Sequence, residues 1–160
     1  MSPRPATRGF TLIELLVSLT IVAILGTLLV PVAQRSAQRS QEQELRRDLR
    51  EIRQAIDAYK RAWDEGRIEK EATATGYPPT LDVLVQGVSD LRSPSHRTLY
   101  FLRRVPRNPF NTDASLAAAQ TWGLRSYSSE AAAPQAGEDV YDVYVPQALL
   151  GLNGVPYALW

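Results

Sequence analysis

An uninterrupted apolar run over residues 10–33, in which Glu14 is the only formal charge, constrains this chain more than anything else in it. Roughly 20 apolar residues suffice to cross a bilayer as a helix, so the run is a membrane-spanning segment by length. A carboxylate at the centre of such a helix costs about 2.5–3.5 kcal/mol, less near an end, and one that stays there needs a partner. The run supplies none, because Arg8 lies before it and Arg35 after it. A secretory signal peptide fits poorly: its apolar core is about 7–15 residues and closes on a small-x-small cleavage site, which Pro31-Val32-Ala33 does not offer. A plain signal anchor fits the length and leaves Glu14 unexplained.

Around that acid the residues read Gly9-Phe10-Thr11-Leu12-Ile13-Glu14. This junction resembles the class III signal of type IV pilins and type II secretion pseudopilins, and the whole chain is most similar to the major, G-type, pseudopilins. The resemblance implies cleavage by prepilin peptidase between Gly9 and Phe10, with N-methylation of the new terminal Phe10. It also implies that Glu14 faces a cationic amine, its own or a neighbouring subunit's, which is the missing partner. Counting basic residues alone gives a different topology. Arg4 and Arg8 precede the run, whereas Arg35, Arg39, Arg46, Arg47, Arg50 and Arg53 follow it, and the positive-inside rule would put the following body in the cytoplasm. The resemblance reverses this, with the leader at the cytoplasmic face and the body outside.

Beyond the run, Leu45, Leu49, Ile52, Ile56, Tyr59 and Trp63 recur at spacings of three and four, the mark of an amphipathic helix. One helix from residue 10 to residue 63 would be about 80 Å long. Its stripe is expected to pack on the C-terminal domain, since three heptads are barely enough for a coiled coil. Glu42 with Arg46, Arg47 with Glu51 and Asp57 with Arg61 stand four apart, in position for surface ion pairs. Pro31, with Gly26 nearby, predicts a kink or local melting over residues 24–31; pilin-like helices often carry a proline there, which makes Pro31 an assembly candidate.

Gly66 and Gly76 bracket a loop over residues 64–76. Tyr77-Pro78-Pro79-Thr80 then leads into a short helix capped by Thr80, presenting Leu81, Leu84 and Val85 to the core. Strands are expected at residues 123–128 and 140–145, where aromatic and β-branched residues alternate with polar ones. Asn153-Gly154 is a tight-turn signal, and Tyr157 with Trp160 should close the domain. These readings divide the chain into a cleaved leader (1–9), a membrane or filament-core helix (10–33), its amphipathic continuation (34–63) and a periplasmic domain (64–160).

Chemistry is sparse. There are no cysteines, so disulfides and thiolate metal sites are excluded, and the missing disulfide favours a pseudopilin over a type IV pilin. His96 is the only histidine and sits in the polar stretch Ser93-Pro94-Ser95-His96, so no enzyme is expected. The family's major pseudopilins bind calcium in a C-terminal loop. Calcium takes six to eight oxygens, yet residues 145–154 here contain no carboxylate. The remaining candidates are Glu138, Asp139 and Asp142 just upstream, or the alternating oxygens of Asn111, Asp113 and Ser115. Arg92, Arg97, Arg103, Arg104 and Arg107, interleaved with Tyr100 and Phe101, could hold phosphates and stack bases. The plainer reading is a basic face meeting acids of a neighbouring subunit, and nucleic acid is not expected as a partner. Net charge is +1 and selects no partner.

The expected fold is α+β and pilin-like, a long N-terminal helix packed on a small C-terminal antiparallel sheet. The expected function is that of a structural pseudopilin of a type II secretion system, anchored once in the bacterial inner membrane with its domain in the periplasm. Its partners would be copies of itself, other pseudopilins, the inner-membrane assembly platform, prepilin peptidase and, before assembly, the lipid bilayer. The alternative is a type IV pilin or minor pilin acting in adhesion or DNA uptake.

Overall fold

The computed structural model describes residues 10–71 and 74–160, with the backbone alone for residues 28–32. Helix α1 covers Leu12–Asp64. Thr11 caps it, its Oγ1 accepting the amide hydrogen of Glu14 at 3.3 Å, which satisfies one of the free donors at the helix start. The hydroxyls of Thr20 and Thr27 donate to the carbonyls of Leu16 and Ile24 at 2.7 and 2.8 Å. The hydroxyls of these two threonines in the apolar run are thereby satisfied by the helix itself. At the other end Gly66 adopts φ 68°, the Gly66 amide bonds the Trp63 carbonyl, and the Arg67 amide bonds the Ala62 carbonyl, both at 2.9 Å. That pair of bonds is a Schellman motif, and it ends the helix where the glycine permits a left-handed residue.

The chain divides into two compact units, the first ending at Arg39 and the second running from Ser40 to Trp160. In the first, Phe10, Leu12, Ile13, Leu15, Leu16, Val17, Leu19, Ile21, Val22, Ile24 and Leu25 are all exposed. Among the described residues no helix is long and apolar enough to cross a membrane. Residues 12–27, the part of the run within α1 whose side chains are described, fall short of the roughly 20 needed, and residues 28–32 complete the run in the sequence. α1 continues through residues 24–31 without the local melting that Pro31 led us to expect; the Pro31 side chain lies outside the described residues.

The second unit contains the core. Leu45, Leu49, Ile52, Ile56 and Tyr59 of α1 are buried with Ala55 and Ala62, joined by Ile68, Leu81, Leu84, Leu102, Trp122, Val140, Val143, Val145 and Tyr157. The predicted stripe is therefore the helix's contribution to a core built by its own domain, with Trp63 packed at its edge. Helix α2 (Leu81–Gln86) buries Leu81 and Leu84 as expected; Thr80 holds the extended N-cap conformation but makes no side-chain cap bond.

Two antiparallel ladders stand in place of the single sheet expected. Strands β1 (Val88–Ser89) and β2 (Thr98–Leu99) form one, and β3 (Gly123–Arg125) with β4 (Asp142–Tyr144) form the other. The second is shorter than predicted because neighbouring backbone groups bond elsewhere. The Ser126 amide donates to Gln135 and the Val140 amide to Pro78, at 2.9 and 2.8 Å. Opposite Tyr144, a Cβ on Gly123 would lie 2.4 Å from the tyrosine ring, so the ring crosses the strand where only glycine leaves room.

Candidate functional site

The N-terminal junction is the first site the sequence singles out. Gly9 lies outside the described residues. Phe10 is exposed, and Glu14 occupies the first turn of α1, two residues after its start. Among the described residues Glu14 has no ion-pair partner.

A second acid on the same helix is treated very differently. Glu42 is buried, and its Oε1 accepts the Leu152 amide hydrogen at 2.7 Å and the Tyr157 hydroxyl at 2.9 Å. Its expected surface pairing with Arg46 is overturned: Arg46 instead lies over the Trp160 ring, 4.1 Å from its centroid. Tyr157 is 1% exposed, stacked on Phe110 and edge-on to Trp160, closing the domain as predicted. Glu42 thus fastens residues 149–160 to the helix, a role no local spacing announces. The other two expected pairs are also absent among the described residues. Arg47 approaches Glu44 and Asp48 at 3.9 and 3.7 Å, and Lys60 pairs with Asp64. Burial raises the Asp48 carboxyl above its ordinary pKa despite nearby Arg47.

The metal candidates are not brought together. Asp139 accepts the Thr75 hydroxyl and the Tyr127 amide. Asp142 takes the Arg53 guanidinium at 2.7 Å, and Glu138 lies exposed beside a cleft of about 520 Å³ that also borders Tyr59, Trp63 and Ser128. In the other set, Asn111 and Asp113 use their side-chain oxygens on backbone amides two residues on. Hydrogen bonds from Ser115 hold the Asp113 carboxyl below its ordinary pKa. No three His, Cys, Asp or Glu residues among those described are grouped to hold a metal ion.

The arginine-rich stretch is likewise divided. Arg107 donates to the carbonyls of Asp113 and Leu116, the latter at 2.8 Å, closing its own loop. Phe101 packs edge-on against Tyr59 at 5.4 Å, which removes it from any base-stacking platform, whereas Tyr100 stays exposed. Sequence reasoning missed Asn108, fully buried and bonded to Thr121, Phe110 and Gln147. It also missed Asp90, which accepts Arg67 at 2.6 Å and the Arg92 amide at 3.0 Å. Those bonds hold the Asp90 carboxyl below its ordinary pKa. His96 sits exposed at φ 46° in the loop between β1 and β2.

Residues 4–30 match the prokaryotic N-terminal methylation motif. The type II secretion system core protein G of Klebsiella pneumoniae is 31% identical over 113 residues, covering 68% of this chain and 73% of that protein. The chain belongs to the type II secretion system core protein G family. Family members of the same name from Klebsiella michiganensis and Aeromonas hydrophila are 29% and 28% identical, over 71% and 82% of this chain and 75% and 87% of their own lengths. No solved structure matches the chain. Family membership spans the two units, from the methylation motif into the α+β domain, and it agrees with the pilin-like fold described above.

Proposed function

We propose that this chain, a structural pseudopilin subunit of a type II secretion system, assembles through its N-terminal helix into a periplasmic pseudopilus that promotes export of folded proteins across the outer membrane. One observation carries the reading. The second unit has a complete core of its own, while every described large apolar side chain from Phe10 to Leu25 is exposed. Such a surface is covered by lipid before assembly and by other subunits after it. In this reading Gly9 marks the prepilin peptidase cut, Phe10 carries the methylated amine, and Glu14 pairs with an amine when a subunit docks. The partners are further copies, other pseudopilins and the inner-membrane assembly platform, and the body lies in the periplasm. Pro31 serves as an adjustable point within the span. We assign no catalytic step and no metal ion to the chain.

Glu14→Ala tests the proposal. The variant should be cleaved and methylated as the parent is, accumulate in the inner membrane and fail to yield sheared pseudopili or secreted exoprotein. Normal pseudopili from Glu14→Ala would overturn the role given to the acid.

A further inference from the structure

The stretch from residue 149 to residue 159 presents apolar surface that the core does not use. Leu149, Leu150, Leu152, Val155 and Leu159 are all exposed, Leu159 at 71%. The backbone beneath them is nonetheless fixed. The Gly151 amide donates to Val155 and the Gly154 amide to Gly151, at 2.9 and 2.8 Å, Leu150 bridges Pro156, and Glu42 holds Leu152 and Tyr157. These leucines are displayed by an anchored loop rather than by a fraying tail.

Beside them lies a groove of about 320 Å³ bordered by Leu49, Val155 and Trp160 and edged by Arg46, Arg50 and Arg53. Arg46 stacks on Trp160, and Arg53 is held by Asp142. Arg50 is exposed and has no ion-pair partner among the described residues. Leucines flanked by an indole and guanidinium groups are the composition of a segment seated at the boundary between lipid headgroups and acyl chains. Guanidinium also matches phosphate oxygens in geometry and charge.

We propose that this surface, wholly within the second unit, docks on anionic phospholipid headgroups while the subunit waits in the membrane before assembly. The inference rests on the membrane-anchored reading above. Two observations favour lipid as the occupant. In the sequence the apolar run ends at residue 33, and Glu42, to which the loop is fastened, follows only nine residues later. Arg46, Arg50 and Arg53, which edge the groove, belong to an excess of arginine after the run that goes against the charge bias of membrane topology, and their presence gains a physical reason if the groove meets phosphate. Each such residue near an anionic surface is worth about fivefold in partition.

The chain has no cysteine, so single labels can be placed on the full-length protein in vesicles. Val17→Cys, Leu159→Cys and Ser128→Cys would each carry an environment-sensitive fluorophore, with spin-labelled lipids as quenchers. In phosphatidylglycerol-containing vesicles, label 17 should be quenched from the acyl region and label 159 from the headgroup region, with label 128 unquenched. Quenching at 159 should fall in pure phosphatidylcholine, and Arg50→Gln should weaken it about fivefold. Quenching at 17 with 159 no different from 128 would overturn the inference and leave the anchored reading standing. No quenching at 17 would overturn both. Shielding of 159 that is equal in both lipids and rises with protein density would assign the surface to a second copy, and that also overturns the proposal.

Discussion

The two halves of α1 are both rich in apolar residues and differ in how those residues are distributed. In the first unit they occur all around the helix and stay exposed; in the second they form one stripe, and Leu45 and Ile52 are fully buried. A helix apolar on every face cannot be satisfied by one domain packed on one side, whereas a stripe can. The described side chains of the first half are left uncovered by the chain, whereas the second half is completed by the chain itself. Position along one continuous helix therefore decides whether a leucine serves assembly or folding.

The sharpest way to break that division is at Gly9. Gly9→Val, or any larger residue, should abolish maturation without touching the folded domain; mass spectrometry of the N-terminus in the presence of prepilin peptidase checks it, and a normally matured variant refutes the assignment. Next in size, Ile52→Ala should destabilise the second unit by about 2–5 kcal/mol in chemical denaturation. In the same measurement Leu16→Ala should change stability by no more than about 0.5 kcal/mol. Equal losses would mean that the halves do not divide their roles as described.

The two glutamates sharpen the comparison further. Glu42→Ala removes the hydrogen bonds that the Leu152 amide and the Tyr157 hydroxyl make to Glu42, and should cost about 1–3 kcal/mol; Glu42→Gln, which keeps an oxygen, should cost less. Glu14→Ala should leave the stability of the domain unchanged. The smallest effect is on pH dependence. The Asp90 carboxyl is held low by Arg67 and the Arg92 amide, so its stabilisation is complete above the ordinary carboxylate range and is lost as pH falls through the lowered value. Asp113 acts in the same direction. Asp48 is raised by burial, so its charge opposes folding at neutral pH and that penalty is relieved as acid protonates it. Asp90→Asn should flatten the acid limb of a stability–pH curve; an unchanged slope would remove Asp90 from the account.

What could be read from the residues follows from the range of the physics involved. The stripe from Leu45 to Trp63, the stop at Gly66 and the turn at Asn153-Gly154 are local patterns, and each appears where its spacing places it. Pairings that cross the chain were hidden. Glu42 sits four residues before Arg46, yet it bonds Leu152 and Tyr157 more than a hundred positions away. Asn108 is an unremarkable polar residue in a Pro-x-x-Pro segment until Thr121 and Gln147 close around it. Strand lengths were overestimated because propensity does not reveal that Gln135 and Pro78 claim the amides beside β3 and β4. Of the candidate site, the N-terminal methylation motif was legible because it is a linear pattern; the anchored leucine loop was not, because its exposure depends on where the rest of the chain leaves it.

Thr11 caps α1 through the Glu14 amide. With the proposed cut after Gly9, only Phe10 and Thr11 precede the first residue of α1, so the new ammonium would sit against the positive end of the helix macrodipole. Two positive charges would then meet at one helix end. The Glu14 carboxylate, in that same first turn, is the nearest group of opposite sign the chain can offer. If the cut falls there, Glu14 would both meet a neighbouring subunit and oppose the unravelling of the first turn under the charge that processing creates.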